Sequence, residues 1–165
     1  MRSRKTVVIK DKKRRRLIIE RFLPVKRELV WLGWTRPEHI VHWWGPGNFA
    51  ARVYEMDVRP GGVWRYSLSP VDGNGDTAYC LATYSEISEP IRLAYIDSFT
   101  DREWNVVKGS EMPTLVTFEE ETGGTRLTIT TQFSKAEELE KAEAMGMIEG
   151  YQETINRLED HFSEK

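Results

Sequence analysis

Apolar and polar residues alternate through the middle of the chain, most plainly at Trp64/Tyr66/Leu68, Val116/Phe118 and Leu127/Ile129/Thr131/Phe133. A two-residue period is that of a strand with one face buried and one face wet. Six strand-like segments follow one another: Phe49–Val58, Gly62–Ser69, Thr77–Ser88, Ile91–Thr100, Thr114–Glu121 and Thr125–Phe133. Short turn signals at Pro60-Gly61-Gly62, Asp72-Gly73-Asn74-Gly75, Glu89-Pro90 and Gly123-Gly124 separate them, with a longer loop near Asp101–Pro113. Short connections make antiparallel neighbours, so these segments predict a meander. An earlier β-rich run, Leu17–Phe22, supplies a seventh strand.

The pattern turns helical in two places. After Pro24, apolar residues at Val25, Leu29, Val30 and Gly33 predict a short helix to Trp34. Thr35, with Pro37 and Glu38 behind it, reads as the N-cap of a second short helix ending near Trp43. At the other end, Ser134 and Glu137 form a Ser-x-x-Glu capping box for one long helix, Lys135 to Phe162. Its apolar stripe runs through Leu139, Ala142, Met145, Tyr151, Ile155, Leu158 and Phe162. This order predicts an α+β fold. A curved antiparallel sheet of about seven strands wraps the long C-terminal helix, and the two short helices plug one end.

Composition and charge narrow the possibilities. The chain of 165 residues can bury a full core as a single domain. Its one cysteine, Cys80, lies among apolar neighbours and reads as a buried, inert thiol. No apolar run approaches the roughly 18 residues of a membrane span, and no signal-peptide core follows the start, so a cytoplasmic protein is expected. Residues 1–16 carry nine Lys/Arg against Asp11 alone, whereas residues 17–165 carry a net charge of −10. The division expected is a basic N-terminal arm, 1–16, and a domain, 17–165. An acidic body is a poor platform for phosphates, so the arm is expected to meet its own body rather than nucleic acid. Thr6–Ile9 is β-prone enough to pair with Leu17–Phe22 as an edge hairpin.

Catalytic signals are sparse. No nucleotide-binding loop or nucleophile–base pair is visible, and no cofactor is called for. His39 and His42 are three apart on one short helix, but without a neighbouring Cys or further His in the sequence no metal site is expected. Asp57 and Arg59 share a face and read as an ion pair pinning a turn, while Arg65 should face away from Trp64 and Tyr66. The aromatic set is the strongest lead. Trp44, Tyr54, Trp64, Tyr66, Phe99, Trp104, Phe118 and Tyr151 occupy positions that the meander and helix would turn inward, either to fill a core or to line a cavity. Gly146 and Gly150 remove side chains from the helix stripe, and Thr154 with Tyr151 would add polar contacts.

These motifs together resemble one family. Glu28-Leu29-Val30-Trp31, Trp34-Thr35-Arg36-Pro37-Glu38, Trp43-Trp44-Gly45-Pro46, Asp57-Val58-Arg59-Pro60-Gly61-Gly62-Val63-Trp64-Arg65, Tyr84-Ser85-Glu86-Ile87 and Gly150-Tyr151 carry the likeness. The chain resembles the START-like (SRPBCC, birch-pollen-allergen-like, helix-grip) superfamily, in the bacterial branch related to the activator of heat-shock-protein-90 ATPase homologue. Arg36 stands where that branch usually has an acidic residue, and Tyr151 where it commonly has Trp. The resemblance implies a deep cavity between sheet and terminal helix, with a small hydrophobic ligand as the leading partner. A co-chaperone-like contact with a heat-shock ATPase is an alternative. A cyclase or hydratase using the same cavity is a second, with Asp97 as the first ionisable residue to inspect.

Overall fold

The computed structural model describes residues 5–163; residues 1–4 of the basic segment and 164–165 lie outside the described residues. Strand β1 (Thr6–Asp11) turns through Lys12–Arg15 into β2 (Arg16–Leu23), which leads to helices α1 (Arg27–Thr35) and α2 (Pro37–Trp43). The meander follows as β3 (Phe49–Met56), β4 (Val63–Pro70), β5 (Ala78–Ser88), β6 (Arg92–Thr100), β7 (Met112–Glu121) and β8 (Gly124–Gln132). Helices α3 (Ala136–Ala144) and α4 (Met147–Ser163) complete the chain. All the strands form one antiparallel sheet in the order β1-β2-β8-β7-β6-β5-β4-β3.

The sheet has eight strands rather than about seven, because Thr6–Asp11 pairs along its whole length with Arg16–Leu23. The Thr-Val-Val-Ile run prefers extended backbone, and its charged neighbours suit a solvent-facing edge. Lys10 pairs with Glu143, and Lys12 with Glu140 at 3.6 Å. The described part of the basic segment therefore lies against acidic side chains of α3.

Two helix boundaries differ from the sequence expectation. Thr35 ends α1 rather than capping α2, and its hydroxyl donates to the Trp31 carbonyl at 2.8 Å. Arg36 is the N-cap instead, held extended at φ −119° by the proline that follows it. The expected single terminal helix is two helices, α3 and α4, because Gly146 takes φ +90° and breaks the helix after Met145. Lys135 stands at the N-cap of α3, and no side chain bonds there, so the Ser134–Glu137 box does not form.

Packing explains why this sheet curves around these helices. Trp34, Trp43, Trp44 and Trp64 form a chain of edge-on and tilted ring contacts, with centroids 4.9–5.4 Å apart, that joins both short helices to the sheet. The Trp43 indole N–H donates to the Gly33 carbonyl at 2.9 Å, so burying that ring leaves its polar group satisfied. Between β3 and β4 the turn closes so tightly that a Cβ on Gly62 would lie 2.0 Å from the Asp57 carbonyl oxygen; only glycine fits.

Helix α4 is fastened mainly through its C-terminal half. Ile155 and Leu158 are buried, and Phe162 packs so closely on α1 that a Cβ on Gly33 would be 2.9 Å from its ring. Arg21, which β2 turns inward among Leu17, Ile19 and Leu23, reaches the Glu159 carboxylate at 2.8 Å and is 1% exposed. Arg157 donates through one nitrogen to the carbonyls of Gly45 (2.8 Å), Pro46 (3.0 Å) and Phe49 (3.1 Å). One guanidinium thus satisfies the turn between α2 and β3.

Removing one partner of a buried ion pair strands the other charge in a medium that cannot solvate it. Glu159→Ala is therefore expected to lower stability by about 3 kcal/mol in urea unfolding. The apolar double replacement Arg21→Met/Glu159→Leu should recover most of that loss. A Glu159→Ala chain as stable as the parent would contradict the role given to this pair.

Candidate functional site

Where α4 leaves its anchor, it stands away from the sheet. Between its N-terminal half, α3 and the concave faces of β4, β6 and β7 lies a cavity of about 490 Å³. Ligand sites commonly have volumes of about 300–1,000 Å³. Trp44, Pro46, Tyr66, Leu68, Phe99 and Met112 form the wall on the sheet side. Ala142, Met145, Met147, Tyr151 and Thr154 face them from α3, α4 and the break between. Met145 is 80% exposed at the rim, and methionines make a deformable apolar lip.

Gly146 and Gly150 both have a visible consequence. A Cβ on Gly150 would touch nothing nearer than Pro46 at 3.8 Å, and one on Gly146 nothing nearer than Glu149 at 3.8 Å. Neither glycine is there to allow close packing. Gly146 serves the helix break, and Gly150 leaves its part of the cavity wall bare.

Glu111, Glu138 and Lys141 bring charge to the lining, and one buried carboxylate lies behind it, next to Tyr66. Asp97 lies on the inner face of β6, opposite Met112 on β7 and two residues before Phe99, both of which line the cavity. Its Oδ2 accepts the Tyr66 hydroxyl at 2.9 Å, and its Oδ1 accepts the Ser98 backbone N–H at 3.1 Å. Burial pushes the carboxyl up to about 7, and the bonds from Tyr66 and Ser98 only partly oppose this. Tyrosines surround it. Burial, reinforced by the nearby carboxylate, raises Tyr66, Tyr84 and Tyr95, and takes Tyr151 up to about 12. Cys80, cross-strand from Tyr66, is buried and its thiol is pushed up to about 12 by that burial, so it is an inert thiol.

Not all the sequence-derived site residues meet here. Trp44, Tyr66, Phe99, Gly146, Gly150, Tyr151 and Thr154 line the common cavity. Trp64 and Phe118 face inward but are sealed in the core, Trp64 beneath Trp44 and Phe118 against Trp31 and Trp34. Tyr54 and Trp104 are on the opposite, convex face. Val53 pairs with Tyr66 and points in, so Tyr54 next to it points out, at a bulge. Trp104 lies in the β6–β7 loop, which folds back over the outer surface with Asp101 accepting the N–H groups of Glu103 and Asn105. There Tyr54, Tyr79 and Trp104 meet edge-on or tilted, with ring centroids 5.1–6.3 Å apart. Arg65 also lies on this outer face, over the Trp104 ring, paired with Glu55.

Sequence spacing alone missed several participants. Arg157 has no local signal, since its partners are backbone carbonyls more than a hundred positions away. His161 joins His39 and His42: the His39 and His161 rings are 2.8 Å apart through Nδ1 and Nε2, and His42 stacks on His161. Among the described residues no group of His, Cys, Asp or Glu is arranged to hold a metal ion. Asp57 and Arg59 form an exposed ion pair at 2.8 Å beside the β3–β4 turn. No helix among the described residues is long and apolar enough to cross a membrane.

The model of the protein family described as Activator of Hsp90 ATPase homolog 1-like protein matches residues 24–163, which leaves β1 and β2 outside the match. No curated protein sequence matches the chain. A crystal structure of a protein from Mycobacterium smegmatis is 27% identical, covers 94% of this chain and 96% of that one, and superimposes with a TM-score of 0.85. A solution NMR structure of a protein from Arthrobacter aurescens is 28% identical, with coverage of 96% and 92% and a TM-score of 0.89. The AHSA1 protein from Silicibacter pomeroyi, 18% identical over 90% of this chain and 97% of that one, shares the fold with a TM-score of 0.72.

The raised Asp97 carboxyl has a consequence for stability. Between the ordinary carboxylate value and about 7, the folded chain holds a proton that the unfolded chain has released, so stability falls as pH rises through that window. Asp97→Asn removes the charge but keeps an oxygen for Tyr66. It should be more stable than the parent above about pH 7, by roughly 2–4 kcal/mol, and nearly equal to it near pH 4. Urea unfolding at both pH values checks this, and an Asn variant weaker than the parent at the higher pH would contradict it.

Proposed function

The chain belongs to the Activator of Hsp90 ATPase homolog 1-like family, and from that premise we propose that it binds a small hydrophobic or aromatic molecule between the sheet and α4. The observation that carries this reading is the cavity: about 490 Å³, walled by Trp44, Phe99, Met112, Met147 and Leu68, and open at the Met145 rim. Moving an apolar molecule from water into such a space removes apolar surface from solvent on both sides. At about 25 cal/mol per Å² of buried apolar area, a two-ring aromatic gains enough to bind in the micromolar range. Rigid apolar walls recognise size and shape, and the few polar groups set orientation.

Binding rather than turnover is the activity these residues support. Tyr66 and Thr154 bring polar oxygens to the wall, each already bonded within the protein, to Asp97 and to the Gly150 carbonyl. The family's name carries a chaperone-directed activity, and no feature of the cavity calls for a protein partner.

Titrating the chain with 2-methoxynaphthalene and with a medium-chain fatty acid, read by tryptophan emission and calorimetry, tests the reading. At least one is expected to bind with a Kd in about the micromolar range. Gly150→Leu, which projects a side chain into the empty space, should weaken that binding at least ten-fold while leaving the fold intact by circular dichroism. Absence of binding by both compounds, or equal binding by the Leu variant, would overturn the proposal.

A further inference from the structure

The densest run of positive charge in the sequence, Lys12-Lys13-Arg14-Arg15-Arg16, folds to a place beside the cavity. Lys13, Arg14, Arg15 and Arg16, from the β1–β2 turn and the start of β2, line a groove, and Glu111, Phe133 and Ser134 belong to the lining of both groove and cavity. The two spaces therefore lie no more than one residue apart. Building on the cavity reading above, we infer that the preferred ligand is an amphiphile with an anionic head group, a carboxylate or a phosphate. Its apolar part fills the cavity and its head meets the basic turn.

The turn is clamped at that spot. Arg15 takes φ +57°, where glycine is the usual residue, so the chain accepts a strained backbone and keeps a guanidinium there. The Arg15 carbonyl accepts the Phe133 backbone N–H at 2.8 Å, and the Arg15 Nε donates to the Phe133 carbonyl at 3.3 Å. Gln132 donates through Nε2 to the carbonyls of Arg14 at 2.8 Å and Arg15 at 3.1 Å. Lys10 and Lys12 tie the same hairpin to Glu143 and Glu140 of α3, the helix that walls the cavity from the other side. Among the described residues these bonds leave the terminal guanidinium nitrogens of Arg15 and the Lys13 ammonium for another acceptor. A planar fork of donors suits the oxygens of a carboxylate or phosphate.

Acidic neighbours offset only part of this charge. Asp11 lies 3.3 Å from Arg14 and 3.9 Å from Arg16, and Glu111 is the acidic side chain in the lining of the groove. Four basic side chains against these two leave the groove positive, whereas residues 17–165 carry a net charge of −10. An anion is thus repelled by most of the surface and drawn to this place. Exposed charges hold a free anion weakly, since each pair is worth little in water. A head group tethered to a molecule already in the cavity reaches them without a second loss of translational freedom, so the two contacts reinforce each other. The hairpin precedes the segment that the family model matches, so the basic groove is no part of what defines the family.

The test compares decanoate with decanol, which share an apolar chain and differ in the head. At about pH 7.5 and low salt, decanoate should bind about ten-fold tighter, the effect of one hydrogen bond to a charged group. At about 1 M salt, where the Debye length is about 3 Å, the ratio should fall towards one. Lys13→Gln/Arg14→Gln should lower the low-salt ratio, and Glu111→Gln should raise it, a gain that no damaged fold would produce. Decyl phosphate, nearer two negative charges, should bind tighter than decanoate if the head is a phosphate, and between decanoate and decanol if it is a carboxylate. Equal binding of decanoate and decanol at low salt, or a preference unmoved by salt and by both variants, would overturn the inference while leaving the cavity reading intact. Loss of decanol binding in the double variant would overturn it too, because the turn would then support the cavity rather than read a head group. If none of the three binds, the inference is overturned, and the cavity reading then stands or falls with 2-methoxynaphthalene.

Discussion

The structure depends on how α4 is tied down. A concave sheet wrapped around a helix needs the helix fixed against it, and here the fixing is electrostatic as well as apolar, and one-ended. Arg21 and Glu159 form a pair whose guanidinium is buried, Arg157 gathers the carbonyls of the α2–β3 turn, and Ile155, Leu158 and Phe162 fill the space around them. Buried charges are expensive unless they are paired and hydrogen-bonded, so each bond restricts where the helix can lie. Ten residues earlier the constraints have run out. Gly146 breaks the helix, Gly150 presents no side chain, and the gap between α4 and the sheet stays open.

That asymmetry divides the inner surface into two regions with different chemistry. Near the anchor, the tryptophans of α1 and α2 pack edge to face and exclude solvent. Towards the open end, Leu68, Phe99, Met112 and Met147 line the cavity, and one buried carboxylate, Asp97, lies behind Tyr66. A charge in such a setting is held at a cost, which is visible in the upward displacement of Asp97. Perturbed carboxyls cluster at functional sites.

Much of the fold is written in local pattern. Alternation at Trp64/Tyr66 and Leu127/Ile129/Thr131, with Gly and Pro between the runs, marks the meander, because a half-buried strand has a period that a helix cannot imitate. The hairpin β1–β2 was within reach for the same reason, yet its dense charge makes it look like a free arm. The break in the terminal helix was harder to read. The apolar stripe continues in phase across Met145–Gly146, and only the backbone reveals that the glycine is left-handed. The cavity was half legible. Residues such as Tyr66 and Phe99 follow from strand phase, and Tyr151 and Thr154 from the helix stripe. Trp104 does not, since it belongs to a loop and loops obey no period. Trp64 and Phe118 point the right way but are covered by other side chains, and depth along the inner face is a property of packing that no single strand encodes. Arg157 is invisible for a related reason: backbone carbonyls brought near by folding leave no mark in the sequence.

The central claim is that one-ended anchoring of α4 leaves a space that receives an apolar molecule. A crystal structure of the chain grown with 2-bromonaphthalene tests it most directly, because the anomalous signal of bromine locates the probe without interpretation of weak density. The account places the bromine between Trp44, Phe99, Met147 and Tyr151, with α4 still held through Arg157 and Glu159. Bromine found only on the convex face beside Tyr54 and Trp104, or no bromine and α4 closed down onto the sheet, would contradict it.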